Sequence, residues 1–249
     1  MTLRLIFFCL SLLLLAPSAQ ADTNYAAPDL ENIAHTLVRF NVIDLSDDVL
    51  IDDYAMLTDC GLYTHFFRDD FKWNDVRKAI RESVRINIAT FPTTYHYDTS
   101  VQLDRYDFKY KDFRFKERAT IKGVNSFILY EDTSYACDKH SPVFIPMIFR
   151  GILDQPVTIE GLPIGAEDAQ ALLHRMDEAK NTDHVIYVRF HLRVVNINPL
   201  QSINKFDGKP HYTQDPKLMN DQIKMDMRLD GVNFYEDRDM TRLLYSYRI

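Results

Sequence analysis

The sequence predicts an α+β domain in which helices come first and a mainly antiparallel sheet follows, with one further helix inserted among the strands. Apolar residues recur at helical spacing through the first third of the chain, over positions 30–38, 49–57 and 76–84. From about residue 95 the spacing changes to the two-residue period of strands. Helices and strands therefore gather in separate parts of the chain, which indicates a sheet covered by helices on one side.

The first 21 residues predict an export signal. After a short basic start, residues 5–17 form an apolar run that ends in the small residues Ala19 and Ala21, the pattern of a cleavage site. The run is shorter than the roughly 20 apolar residues of a membrane-spanning helix. We therefore expect residues 22–249 to form one soluble domain, periplasmic or secreted, with no membrane span. An uncleaved anchor at the membrane interface is the alternative.

Three helices are predicted in the first third of the chain. Pro28 fits the first turn of the first helix, and Ser46 and Asn74 are the expected caps of the second and third. An aromatic cluster precedes the third helix, and Pro92 follows it. The predicted buried faces are Leu30, Ile33, Ala34, Leu37 and Val38, then Val49, Leu50, Tyr54 and Leu57, then Val76, Ala79, Ile80 and Val84.

The first strands carry aromatic side chains. These alternate with charged residues over 106–110 and again over 113–115 with opposite parity, which predicts a bulge or a tight turn near Lys111 and Asp112. Apolar runs at 127–130 and 143–149 follow. Pro146 places the second of them at an edge or a bulge.

A fourth helix is predicted over residues 165–179, and the clearest strand follows at 184–195. There, apolar residues from Ile186 to Val194 alternate with polar ones. A second alternation at 223–230 predicts a neighbouring antiparallel strand, reached by a long polar connection over 199–220.

The polar residues of the long strand are the candidate ligand-binding set, which comprises Tyr187, Arg189, His191 and Arg193. Every second side chain of a strand lies on one face, about 7 Å apart. Such a row of cations suits a carboxylate or a phosphate. The simpler interpretation is a solvated face whose arginines pair with Asp226 and Asp230 on the next strand, and it fits the same residues better.

Two cysteines, Cys60 and Cys137, remain after removal of the signal. An even count in an oxidising compartment predicts a disulfide between them. The alternatives are two buried thiols or a catalytic thiol, since His65 and His140 lie near the cysteines in sequence.

Composition excludes several classes of function. Arg4 is the only charged residue of the signal, so the mature chain keeps 28 of 29 lysines and arginines against 36 acidic residues, a formal charge of −8. That charge argues against nucleic-acid binding, although residues 105–118 interleave basic and aromatic side chains. Only 7 glycines are present, and the glycine-rich nucleotide-binding and hydrolase motifs are absent.

No metal or cofactor is expected. The eight histidines have no ligand-like spacing, and the acidic pairs at 47–48, 52–53 and 69–70 lack the pattern of a calcium loop. Helix starts or solvated surface account for these pairs.

Two functions are consistent with these observations. The first is a non-enzymatic exported protein that binds a partner protein or a cell-envelope component, a role that the abundant tyrosine and phenylalanine favour. The alternative is a secreted hydrolase whose Asp, Glu and His residues converge only in the fold. A deep cleft with titratable groups within hydrogen-bond reach would favour the hydrolase.

Overall fold

A computed structural model describes residues 25–132, 137–138, 140–142, 145–197 and 222–249. The predicted export signal and the predicted connection over 199–220 lie outside these residues. The described chain forms α-helices at its amino-terminal side, then a mostly antiparallel sheet with one helix inserted between strands, so the predicted α+β class is confirmed.

The helices follow the predicted order, with one addition. The described helices are α1 (Leu30–Arg39), α2 (Asp48–Thr58), α3 (Cys60–Phe66), α4 (Asp70–Asn87) and α5 (Ala166–Glu178). The first four each begin after an aspartate whose carboxylate accepts a hydrogen bond from a backbone N–H of the first turn. These caps are Asp29, Asp47, Asp59 and Asp69.

The predicted caps Ser46 and Asn74 were wrong. Ser46 lies before α2, where its backbone N–H and hydroxyl both donate to the Asp44 carboxylate at 2.8 Å. Asn74 lies inside α4, which begins one turn earlier. Asp47 adjoins Ser46 and Asp69 lies five residues before Asn74, and the charged oxygen of an aspartate is the stronger acceptor at the positive end of a helix.

The sheet has eight strands among the described residues. They are β1 (Thr94–Asp107), β2 (Asp112–Phe115), β3 (Ser126–Glu131), β4 (Ile148–Leu153), β5 (Gly161–Pro163), β6 (Val185–Ile197), β7 (Ile223–Tyr235) and β8 (Leu243–Arg248). Their order is β3-β4-β7-β6-β1-β2-β5. Strands β4 and β8 pair with the same edge of β7. Strand β4 pairs with the first half of β7, and β8 pairs with its last residues.

The predicted antiparallel pairing of the two long strands is confirmed, since β6 and β7 pair antiparallel over most of their length. The predicted turn near Lys111 is confirmed too, because β1 and β2 form a hairpin around residues 108–111. The pairing of β4 with β7 is parallel, so the sheet is mainly but not wholly antiparallel.

One face of the sheet is the core. Ile186, Val188, Phe190 and Leu192 of β6 are almost completely buried there and share one apolar cluster with residues of α1, α2 and α5. Each fully buried side chain of this size contributes roughly 2 kcal/mol to folding through the hydrophobic effect. The described helices thus cover the apolar face, and the alternation of β6 turns its polar residues to the other face.

A second, smaller cluster lies between α2, α3 and α4 around Trp73 and Tyr63. Cys137, which follows β3, is bonded to Cys60 at the start of α3, with the Cα atoms 5.3 Å apart. The predicted disulfide is therefore present, and it fastens the segment after β3 to this cluster.

Candidate functional site

The four predicted site residues lie together on the polar face of β6. The strand register places Asp98 and His96 of β1 beside Arg189 and His191 on one side. On the other side, Asn233 and Gly231 of β7 lie opposite the same two residues. The prediction therefore named the central row of a wider polar face, whose neighbouring rows come from β1 and β7.

Arg189 is held by Asp98. Its Nε and Nη2 atoms each donate to one carboxylate oxygen at 2.7 Å. The Nδ1 atom of His96 lies 3.5 Å from the same carboxylate. Partial burial alone would raise the pKa of Asp98, but the hydrogen bonds from Arg189 and the nearby His96 outweigh it, so the pKa lies well below its ordinary value.

Arg193 is held by Asp230. Its Nη2 atom lies 2.7 Å from the carboxylate, which also accepts a hydrogen bond of 3.2 Å from the Tyr25 hydroxyl. The hydrogen bond to Asp230 raises the pKa of Arg193, so the guanidinium stays charged. Asp230 reaches this position because the β6–β7 register shifts between His191 and Leu192, which gives β7 one extra residue there.

His191 lies between these two ion pairs and is buried, with 7% of its surface exposed. The ring of Tyr25 stacks on it at 4.6 Å between centroids. The backbone of Ala26 holds the neighbouring Tyr25 at the edge of β1. The Ala26 N–H donates to the Thr94 carbonyl, and the Ala26 carbonyl accepts from the His96 N–H. Gly231 lies on the other side, where an added Cβ would be 3.8 Å from His191 Nδ1 but only 2.7 Å from the backbone oxygen of Tyr247 on β8.

The model of the family described as "Domain of unknown function (DUF4852)" matches residues 46–204. This chain belongs to that family. No curated protein and no solved structure matches the chain significantly. The DUF4852 match runs from the start of α2 to just beyond β6, so it contains Asp98, Arg189 and His191. Tyr25 and Asp230, which complete the polar face, lie outside it.

The polar face of this DUF4852 protein carries charges of both signs. Arg189 and Arg193 each pair with a carboxylate, so they do not form an open row of cations. Arg228 of β7 shares the Asp230 carboxylate with Arg193, its Nε atom lying 3.3 Å from Oδ1. Asp230 is the partner that the sequence suggested for an arginine, whereas Asp226 accepts instead from the Asn196 amide at 3.0 Å. The partner of Arg189, Asp98, was missed, although the alternation of 94–102 already places His96 and Asp98 on one side of β1.

Two depressions on the described surface lie away from this face. One, of 390 Å³, is lined by Val38, Asn41, Ile43, Asp44, Leu45 and Ile88. Another, of 40 Å³, is lined by Tyr63, Thr64, Phe67, Arg68, Asp138 and His140. The first contains a single charged side chain, and the second has room for little more than a water molecule.

Two further features bear on the chemistry of the described residues. No group of three or more His, Cys, Asp or Glu side chains in this part of the chain has the arrangement of a metal site. Within the same residues, none of the helices combines the length and apolarity that crossing a bilayer requires.

Proposed function

We propose that this chain is an exported, non-enzymatic protein that binds a partner protein through the polar face of its sheet. The observation that carries the proposal is the fixed pattern of opposite charges on that face. Two arginine–aspartate pairs flank the His191–Tyr25 stack; strands hold the arginines, aspartates and His191, and the Ala26 bridge to β1 holds Tyr25. Ordered arginine and tyrosine side chains of this kind are enriched at protein interfaces.

The charge pattern favours a protein over a simple anion. A phosphate or a carboxylate would have to displace Asp98 from Arg189 or Asp230 from Arg193. A protein surface can instead present charges of both signs and complement both members of each pair. Among cell-envelope components, a uniformly anionic polymer fits this face less well for the same reason.

Site-specific photo-crosslinking tests the proposal. A photoreactive residue at position 187 lies on the polar face, and one at Phe71 of α4, which is 89% exposed, is the matched control. Crosslinking in the exporting host should give a reproducible adduct from position 187 and none from position 71. The captured protein is then purified and its affinity for the wild-type chain is measured.

The affinity of a charge-exchange variant for the captured protein tests whether the polar face is the binding surface. Exchanging the pair, as Arg189→Asp with Asp98→Arg, preserves attraction between β1 and β6 but reverses the charge pattern presented to a partner. We expect a loss of about 1 to 3 kcal/mol of binding free energy for a folded variant. Equal affinity of the folded exchange variant, or equal adducts from positions 187 and 71, would contradict the proposal.

A secreted hydrolase is the second candidate, favoured by the proximity of His96 and Asp98, whose Nδ1 and carboxylate oxygen lie 3.5 Å apart. Histidine–carboxylate pairs can move protons in hydrolysis. The test is a screen of ester, peptide and glycoside substrates with the wild type and with His96→Gln. Hydrolysis that disappears in the folded variant would support the enzyme over the binder.

The export part of the proposal rests on residues 1–21 and has its own test. Intact-mass measurement of protein recovered from the periplasm or the medium of an exporting host should give a chain that begins at Asp22. A full-length chain in the reduced cytosol would contradict export.

A further inference from the structure

The turn between β1 and β2 exposes two aromatic side chains. We call residues 108–111 the hairpin tip; it contains Phe108, Lys109, Tyr110 and Lys111. Phe108 is 79% exposed and Tyr110 is 58% exposed. Large apolar side chains at the end of a hairpin contribute little to the core, so their exposure needs another explanation.

The hairpin tip is held rigidly. The Asp107 carboxylate accepts hydrogen bonds from the backbone N–H groups of Lys109 at 2.8 Å and Tyr110 at 3.1 Å. The Lys111 N–H donates to the Asp107 carbonyl at 2.7 Å, and Ile164 N–H donates to the Lys111 carbonyl. The aromatic side chains are therefore presented by an ordered turn, which reduces the entropy lost on binding.

The hairpin tip is also cationic in an otherwise acidic protein. Its four residues include two lysines and no acid, whereas the whole chain has a formal charge of −7. The Lys109 ammonium lies 5.0 Å from the centre of the Tyr110 ring, and the Arg114 guanidinium lies 4.8 Å from it. The two acids that flank the tip have partners. The Asp107 carboxylate accepts hydrogen bonds from the turn, and the Asp112 carboxylate lies 3.4 Å from Arg114 Nε.

We propose that the hairpin tip docks on an anionic lipid bilayer, with Phe108 entering the headgroup region and Lys109 and Lys111 contacting lipid phosphates. Aromatic side chains next to lysines are the residues that bind the interface of an anionic membrane. A single convex turn can enter a soft surface without a matching pocket. Single-stranded nucleic acid instead needs a groove with several stacking residues.

This inference concerns a different surface from the polar face of β6, so the two proposals can fail separately.

Vesicle flotation tests the membrane inference with protein isolated from an exporting host. The probes are vesicles of phosphatidylcholine alone and vesicles of equal parts phosphatidylcholine and phosphatidylglycerol. Wild type should float with the mixed vesicles and much less with the neutral ones, and its binding should weaken as salt is raised.

Two variants separate the aromatic and the cationic contributions. Phe108→Ser should lower the partition coefficient on mixed vesicles about tenfold, since it removes the group that enters the interface. Lys109→Gln with Lys111→Asn should lower it about twenty-five-fold, at roughly fivefold for each lysine. Asparagine is chosen because Lys111 has a φ of 54°, which asparagine tolerates.

The matched control is Phe71→Ser with Lys72→Gln, which makes the same chemical change at an equally exposed site on α4 and should leave binding unchanged. The inference is overturned if wild type prefers neither vesicle, if the control weakens binding as much as the tip variants, or if fluorescently labelled single-stranded DNA binds more tightly than mixed vesicles.

Fluorescence gives an independent measurement of depth. The chain has one tryptophan, Trp73, which is buried. In the Phe108→Trp variant, the fluorescence of the new tryptophan should shift to shorter wavelength with mixed vesicles and stay unchanged with neutral ones. An unshifted spectrum with bound, floated protein would show that the hairpin tip stays outside the interface and would overturn the inference.

Discussion

Arg189 of β6 and Asp98 of β1 are joined by two parallel hydrogen bonds of 2.7 Å, in the fork geometry that guanidinium and carboxylate groups share. The two residues lie directly opposite each other in the antiparallel register. Their pair therefore links the central strand of the polar face to its neighbour, and it fixes the position of one charge of each sign on that face.

The Asp98→Asn variant should be less stable than wild type at neutral pH and less sensitive to acid. The folded pKa of Asp98 lies below its ordinary value of 3.8, so the ion pair stabilises the fold above about pH 4. That contribution is lost as the pH falls from 4 toward the folded pKa. We expect a loss of about 1 kcal/mol at pH 7 and a smaller difference at pH 3, measured by urea denaturation.

Glu82→Gln is the control for this experiment. Glu82 also binds an arginine, Arg85, through two hydrogen bonds, but both side chains are mostly exposed on α4. Solvent screens such a pair, so its removal should change stability much less than Asp98→Asn does. Equal losses of stability in the two variants would show that the ion pair of Asp98 between strands stabilises the fold no more than an exposed pair on a helix.

Asp52→Ala should destabilise the smaller apolar cluster. The Asp52 carboxylate accepts a hydrogen bond of 2.8 Å from the Trp73 indole N–H and one of 2.7 Å from Arg77 Nε. Removing it leaves the buried Trp73 N–H without an acceptor and leaves Arg77 with only its longer contact to Asp48, at 3.4 Å. A loss of about 2 kcal/mol is expected, and Trp73 emission during urea denaturation measures it in the affected region.

Asp75→Ala is the matched control on the same helix as Trp73. Asp75 pairs with Lys78 at 3.0 Å, and both side chains are more than half exposed. Its removal should cost less than about 0.5 kcal/mol. If both variants unfold at the same urea concentration, the hydrogen bonds of Asp52 do not stabilise the cluster.

The periodicity of the sequence was sufficient for the class of fold and for the long elements, because α5, β6 and β7 each bury one continuous stripe. Periodicity did not predict positions whose structure depends on contacts with distant parts of the chain. The acidic pair at 52–53 was expected at a helix start or on solvated surface, yet it lies in the middle of α2. Asp53 is 1% exposed and accepts a hydrogen bond from Ile145 N–H, a residue far away in sequence.

Short elements were missed for a related reason. Helix α3 has seven residues, too few to show a helical period, and it was not predicted. Strand β8 buries little and has no clean alternation. At the polar face, β6 was predicted because its alternation is local. Tyr25 and Asp230 were not assigned to a site, since only the β1 edge bridge and the β7 bulge bring them there.

The disulfide should contribute substantially to stability. Cys60 and Cys137 are 77 residues apart, and closing a loop of that length restricts the unfolded chain by roughly 4 kcal/mol. Replacing both cysteines with serine should lower the free energy of unfolding by about that amount, measured by urea denaturation without reductant. Dithiothreitol should destabilise wild type and leave the double variant unchanged; an unaffected wild type would contradict the prediction.

Gly231→Ala should disturb the polar face by way of its neighbouring strand. A Cβ at this position would lie 2.7 Å from the backbone oxygen of Tyr247, and backbone cannot move aside as a flexible side chain can. Strand β8 must therefore shift, at a cost of about 2 kcal/mol, measured by urea denaturation. Gly165→Ala is the control, because its Cβ would meet nothing closer than Asp168 Oδ2 at 3.7 Å, so its cost should stay near 0.5 kcal/mol. Equal stabilities would mean that β7 and β8 separate freely at Gly231, and the close packing beside His191 would then not constrain the face.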